Sequence, residues 1–445
     1  MNNKNSKTSM HRVILALALL IVIPNLGAYS LLDYETGNKV AAIDARTAAM
    51  GDAATGGSQN FFSSQQNPAN LANLTGKFGF QFSSGFMRTQ QQRSLPMYDS
   101  FDSFVGDAEY VHNEDIFSEI AVGGFYKMQL HPLEIILATS YRPFINFDCQ
   151  YDEEIRNNSN SDFNSYPPII AQNQIRGAGS LNGVSFQTAL AYERYTLGLE
   201  VTKLMGEQSY ARKVLWSEYA VNAAPPGDDS LQDSVWEVER DFDGLTYQIG
   251  LQAEIDKYTS VGMSFVPQMD IDAEYADTTM SFEQPGKFRV GILHSPRSFI
   301  STSLNLDVEL VSWNELNQLY DNELNYYLGV EHIINQKLPF RLGFNYQTTY
   351  QMIQDSGIEY ANKIVMPTIT TGTGVKILDN FNLDFSLAFS HRIYEALDLF
   401  PDSFYDHEYL WENYTYMNLQ DRGWENPDKV TDTFIKFQTT LSYKF

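Results

Sequence analysis

Residues 300–310 read ISTSLNLDVEL. Successive side chains of an extended chain point to opposite faces, so Ile300, Thr302, Leu304, Leu306, Val308 and Leu310 fall together on one face. Ser301, Ser303, Asn305, Asp307 and Glu309 fall on the other. One face is greasy; the other is polar and charged. The division recurs where Phe381, Leu383, Phe385, Leu387 and Phe389 oppose Asn382, Asp384, Ser386, Ala388 and Ser390. It returns in the last segment, where Ile435, Phe437, Thr439, Leu441, Tyr443 and Phe445 oppose Lys436, Gln438, Thr440, Ser442 and Lys444.

A soluble β-sandwich also alternates, so the joins between segments decide. Strands read at 77–88, 117–129, 134–148, 181–193, 195–205, 240–254, 258–274, 278–294, 298–313, 324–334, 338–352, 366–378, 381–394 and 433–445 number about fourteen. Joins after even strands are short, and those after odd strands are mostly long, as at 89–116, 206–239 and 395–432. Tight turns at one end and long loops at the other are the pattern of an all-β, antiparallel transmembrane β-barrel. An even count puts both chain ends on the periplasmic side. The sheet has to close, because a free edge would leave amides without partners in hydrocarbon.

Working outward to the N-terminus, Lys4, Lys7 and Arg12 precede an apolar run from Val13 to Ile23 that is too short to span a bilayer. Residues 1–30 are expected to be a signal peptide cut after Ser30, residues 31–76 a plug or hatch, and residues 77–445 the barrel. The expected location is the cell outer membrane.

Composition agrees. The chain carries 27 Tyr and 29 Phe but only 43% hydrophobic residues overall, which suits a wall whose outward band and interface girdles take the aromatics while alternate residues face a polar lumen. A net charge of −25 argues against nucleic acid, whose phosphates need Lys and Arg. The single cysteine, Cys149, gives no internal disulfide and no thiolate metal cluster. The seven histidines are scattered, and the chain has no H-E-x-x-H, no G-x-S-x-G and no phosphate-binding glycine loop. No enzyme, cofactor or metal site is therefore expected.

Glu200, Arg289, Asp307, Glu309, Glu331, Arg341, Asp384 and Lys436 fall on the polar face. A charge at membrane depth persists only toward a lumen or a partner, so these residues describe either a charged path or salt bridges that hold a plug, the second being favoured. The outer loops collect acid, including Asp228, Asp229, Glu237, Glu239, Asp241 and Asp243, and aromatics, including Tyr151, Trp216, Trp236, Tyr405, Tyr409 and Trp424. The acid lacks calcium-loop spacing and reads as solvated surface. The aromatics suit either a surface for an apolar ligand or simple loop packing.

The segment before the first strand lacks alternation. It contains Arg46-Thr47-Ala48-Ala49-Met50-Gly51-Asp52-Ala53 and then Asn67-Pro68-Ala69. These runs, with Val311-Ser312-Trp313-Asn314, Pro339-Phe340-Arg341-Leu342-Gly343 and the terminal Tyr443-Lys444-Phe445, resemble the FadL/TodX family of outer-membrane hydrophobic-compound transporters. The resemblance implies fourteen strands with an N-terminal hatch. Arg46, Gly51, Asn67, Pro68 and Ala69 would shape the hatch, and Leu31, Leu32 and Tyr34 would line a ligand pocket. Tyr443 and Phe445 would form the signal read by the barrel insertion machinery. It further implies passive uptake of a hydrophobic small molecule, of fatty-acid or aromatic and hydrocarbon class, with sideways exit into outer-membrane lipid. Relatives related to PorV-type barrels serve as shuttles in type IX secretion, and that role stands as the alternative. The acidic loops would repel a fatty-acid carboxylate, which leaves neutral hydrocarbons or aromatics open.

Overall fold

The computed structural model describes residues 37–98, 101, 103–157, 167–275, 278–335, 337–355, 358–400, 405, 407–410 and 428–445. The expected signal peptide and the expected lining residues Leu31, Leu32 and Tyr34 lie outside the described residues, as does the loop residue Trp424.

Fourteen strands close into one antiparallel barrel. They are β1 (Phe78–Tyr98), β2 (Phe104–Leu130), β3 (Leu133–Asn146 and Cys149–Arg156), β4 (Ile169–Tyr192), β5 (Tyr195–Trp216), β6 (Ser234–Asp256) and β7 (Thr259–Val266 and Met269–Tyr275). The ring continues with β8 (Thr278–Gln284 and Lys287–His294), β9 (Ser301–Val311), β10 (Glu323–Ile334), β11 (Leu338–Asp355), β12 (Ile358–Leu378), β13 (Phe381–Ala396) and β14 (Asp428–Lys444). Neighbours in sequence pair, and β14 returns to β1 from Lys444↔Gly79 to Lys429↔Ser94, which removes the edge.

The alternation holds in three dimensions. Leu304, Leu306, Leu387, Phe389, Ile435 and Phe437 stand exposed on the outer wall, while Asn305, Asp307, Glu309, Ser386, Gln438 and Thr440 are buried within. At the short-turn end, Phe78, Tyr126, Tyr192, Tyr195 and Phe445 form an exposed aromatic rim.

One expectation is corrected. The segments 89–116 and 353–365, between the expected strands, are mostly strand, and 206–239 is half strand, because β1, β2, β5, β6, β11 and β12 run well past the apolar belt. Apolar alternation marks only the part of a strand that lies in lipid. Above it, backbone pairing holds a hairpin together whatever the side chains, so Gln90-Gln91-Gln92 stays in the ladder opposite Glu114, Asn113 and His112.

Residues 40–75 lie inside the ring. A short helix, α1 (Ala45–Ala49), is capped by Asp44, which accepts from the Thr47 amide at 2.8 Å, and turns of 3-10 helix follow at Phe61–Gln65 and Pro68–Asn73. Their backbone is bonded from all sides of the wall. The Ala45 amide donates to Thr440 of β14 at 2.8 Å and the Phe62 amide to Gln81 of β1 at 3.2 Å. The amides of Ala54 and Thr55 donate to one Asp307 oxygen of β9, both at 2.9 Å, and Gln248 of β6 donates to the Gln65 carbonyl at 3.1 Å.

Inward-facing glycines make room for this segment. A Cβ on Gly262 would stand 1.8 Å from the Thr55 carbonyl oxygen, one on Gly250 2.0 Å from Asn67 Oδ1, and one on Gly343 2.1 Å from the Gly51 nitrogen. Nothing larger fits where the two backbones touch.

Candidate solute path

The ionisable residues assigned to the polar face are all inside, and they are paired. Arg341 binds Glu331 at 2.6 Å and Asp384 at 2.7 Å, and Arg46 of α1 reaches the same Glu331 at 2.8 Å. Arg289 binds Asp307 at 3.0 Å and donates to the Asp52 carbonyl. Lys436 binds Glu119 at 2.7 Å, and Arg142 binds Glu200 at 2.9 Å. A charge at this depth is tolerable only when matched. Since Arg46 and the Asp52 carbonyl belong to the inner segment, the pairs tie wall to insert.

The other motif residues of this segment have definite places. Gly51 takes the left-handed conformation at φ 62°, and its amide donates to Thr370 at 3.1 Å. Asn67 accepts from the Ala69 amide at 3.0 Å, and its side chain donates to the carbonyls of Thr55 and Leu251 at 2.9 and 3.0 Å. Pro68 opens the following turn, where its missing N–H costs nothing, and Ala69 is fully buried. At the other end of the chain, Phe445 stacks on Phe78 at 4.9 Å and Tyr443 packs on Phe381 at 4.7 Å.

The wall is not uniformly laddered. β2 pairs with β3 only from Leu130↔Leu133 to Val122↔Tyr141. Beyond that rung β2 is partnered by β1 and β3 by β4, out to Tyr98↔Phe104 and Arg156↔Ile169. Pro143 stands two residues past the last rung and has no amide hydrogen to give. The β3–β4 register slips between Pro143 and Ile145, and β3 breaks at Phe147-Asp148. The lower part of the freed edge is taken by the inner segment, as Asn38 pairs with Asn146 and Lys39 with Ile145. Higher up, the Asp152 amide donates to the Asn113 side chain at 3.3 Å. Among the described residues, β2 and β3 share no ladder beyond Val122↔Tyr141, and this is the seam of the wall.

Behind the seam sits an apolar cluster. Ile145 and Phe147 pack with Leu181, Leu204, Phe242 and Ile271, and the rings of Phe147 and Phe242 stack at 4.8 Å. Gly37, where the described chain begins, abuts Ile145 and Phe147. Sequence reading missed this site, though Pro143 inside an otherwise alternating strand was a signal for it. Similar signals, Pro267 and Pro285-Gly286, mark the breaks in β7 and β8.

Above the cluster part of the loop aromatics pack on one another, while Trp236 and Tyr219 stand exposed. Tyr151, Tyr210, Phe400, Tyr405 and Leu410 are buried together with Val111 and Ile170. This cap also encloses charge. Arg93 binds Asp428 at 3.2 Å and donates to the Leu397 carbonyl, while Glu153 accepts from Tyr151 at 3.2 Å and Asn173 at 2.9 Å. Burial, with Glu153 and Asp428 close by, pushes the loop carboxyl of Asp398 up to about 8.

Solved structures share this fold. A FadL homologue from Pseudomonas aeruginosa superposes with a TM-score of 0.61 over 92% of this chain and 100% of its own, at 10% identity. The chain has the FadL/TodX fold. The toluene transporter TodX of Pseudomonas putida gives 0.55 at 12% identity over 92% of this chain and 99% of its own. The toluene transporter TbuX of Ralstonia pickettii gives 0.52 at 13% identity, over 92% and 98%. Neither a protein-family model nor a curated protein matches the amino-acid sequence.

Proposed function

We propose that this chain is an outer-membrane transport protein that takes up hydrophobic small molecules passively and releases them sideways into lipid. The observation that carries the reading is the seam between β2 and β3, which lies beside a buried apolar cluster and away from the ion pairs that clamp the insert. An apolar solute loses free energy when it leaves water, so a run of apolar contacts from cap to cluster to bilayer needs no energy source. Residues 31–76 act as a fixed plug and block the polar route along the axis. Leu31, Leu32 and Tyr34, immediately upstream of Gly37, would complete the lining. Acid at the outer end favours uncharged hydrocarbons or aromatics over carboxylates.

The shuttle reading requires loops that hold another protein; among the described residues Tyr151, Tyr210, Phe400 and Tyr405 are engaged with each other, while Trp236 and Tyr219 stand exposed and keep that reading as the alternative. The test is a cross-link over the seam. Asn113→Cys with Asp152→Cys, in a Cys149→Ser background, should cut entry of radiolabelled toluene into whole cells several-fold when oxidised and restore it when reduced. Uptake that is unchanged by a completed cross-link would sink lateral exit. Wild-type uptake no higher than in cells lacking the protein would sink transport altogether and leave the shuttle.

A further inference from the structure

β7 and β8 each break once, and the two breaks face each other. The lower halves pair from Thr259↔His294 to Val266↔Lys287, and the upper halves from Met269↔Gln284 to Tyr275↔Thr278. Between them lie Pro267-Gln268 and Pro285-Gly286. Proline brings no amide hydrogen to a ladder, so the upper hairpin joins its lower half through two short strips of chain. Its sides are lightly held as well. The ladder from β7 to β6 stops at Phe265↔Ile249 and resumes for four rungs, from Ile271↔Gly244 to Glu274↔Asp241. On the other side, among the described residues, β9 follows β8 no higher than Val311↔Lys287 and a bond from the Ser312 amide to the Gly286 carbonyl at 2.9 Å. Two of the four rungs to β6 set acid against acid, Asp272 against Asp243 and Glu274 against Asp241, which opposes closure. Lys203 offsets the first, so the opposition is sharpest in the second.

The hairpin is held down by its inner face. Met269, Ile271 and Phe282 pack on the apolar cluster, with Ile271 fully buried and the ring of Phe282 edge-on to Phe242 at 5.4 Å. The opposite face carries Asp270, Asp272, Glu274 and Glu283, all exposed. We propose that the hairpin of Met269–Tyr275 and Thr278–Gln284 is a lid that swings outward on the two breaks and opens the apolar cluster to the external medium. The lid is then the entry of the path whose exit is the seam between β2 and β3. Opening uncovers Ile271, Phe282 and Phe242, and an apolar solute that takes over their contacts offsets that cost, so the solute itself favours the open form. The entry role rests on the transport reading; the hinge does not.

A reversible tether tests it. Asp241→Cys with Glu274→Cys, in a Cys149→Ser background, places two thiols on opposite residues of a rung, within disulfide reach. In the reduced, detergent-solubilised protein the amides of 269–275 should exchange hydrogen at least roughly tenfold faster than those of 259–266 on the same strand, because the two halves open as separate units. Oxidation should remove that difference and cut toluene uptake by whole cells several-fold, and reduction should restore both. Glu274→Lys, which turns the opposition to Asp241 into attraction, should slow exchange and uptake in the same direction. Equal exchange of the two halves in the reduced protein overturns the hinge. Uptake unaffected by a completed tether overturns the entry role and leaves transport through another mouth. Wild-type cells that take up no toluene sink the transport reading and the entry role with it, whereas exchange, which uses no solute, still decides the hinge.

Discussion

At the scale of the residue, what matters inside this wall is whether each charge has its partner. Arg289 serves Asp307 and the Asp52 carbonyl and lies 3.9 Å from Glu309, all buried. Arg289→Met keeps much of the volume but leaves two carboxylates facing one another, and removing one side of a buried pair costs about 3–5 kcal/mol. The urea midpoint of the detergent-solubilised barrel should fall accordingly, and an unmoved midpoint would show that water reaches this pair. The cap behaves in the opposite sense. Asp398 rises from 3.8 to about 8 on folding because it is buried near Glu153 and Asp428 with Arg93 as the shared cation. Between those values the folded cap holds a proton that the unfolded loop has released, so this stabilisation is complete at acid pH and is lost as pH climbs toward 8. The protection of the amides in 397–400, taken relative to the unfolded exchange rate at each pH, should therefore fall from about pH 4 to about pH 8, and Asp398→Asn should flatten that fall. None of this pairing was readable from the chain, since Arg46 and Glu331 lie far apart in sequence and meet only when the segment is seated.

At the scale of the element, a strand in this barrel has a lipid-facing part and an outer part under different rules. In lipid, the outward positions of β6 are Leu245, Tyr247, Ile249 and Leu251; past them come Asp243, Asp241 and Glu239, all exposed. There the ladder sets like charges face to face, Asp243 against Asp272, Asp241 against Glu274, and Asp270 against Glu283. Such pairs oppose the sheet that the backbone holds together. Asp272→Lys should raise the thermal midpoint, with a gain of about 0.2–1 kcal/mol, and a fall in that midpoint would mean that the acidic face is stabilised by something beyond this chain. The seam belongs to this scale as well. Pro143 was legible as a weak point in β3, but the loss of β2 beside it was not, because pairing is a property of two strands.

At the scale of the whole molecule, the insert decides what kind of barrel this is. Fourteen strands enclose more space than wall side chains fill, and here residues 40–75 occupy it. Deleting 37–76 should convert a barrel silent in planar bilayers into one with steady ionic conductance, and continued silence would mean that the cap closes the lumen by itself. The period of two and the join lengths determined the barrel, its strand number and which face each side chain takes from sequence alone, because closure in lipid leaves one solution for a long alternating chain. Arg46, Gly51 and Asn67-Pro68-Ala69 marked the inner segment by type without saying what they touch. The glycine seats at Gly250, Gly262 and Gly343, the ion pairs of the lumen and the seam beside the apolar cluster were decided by tertiary structure. Each is a meeting of residues hundreds of positions apart or of two neighbouring edges, and a one-dimensional pattern fixes which face a side chain takes but not what stands opposite it.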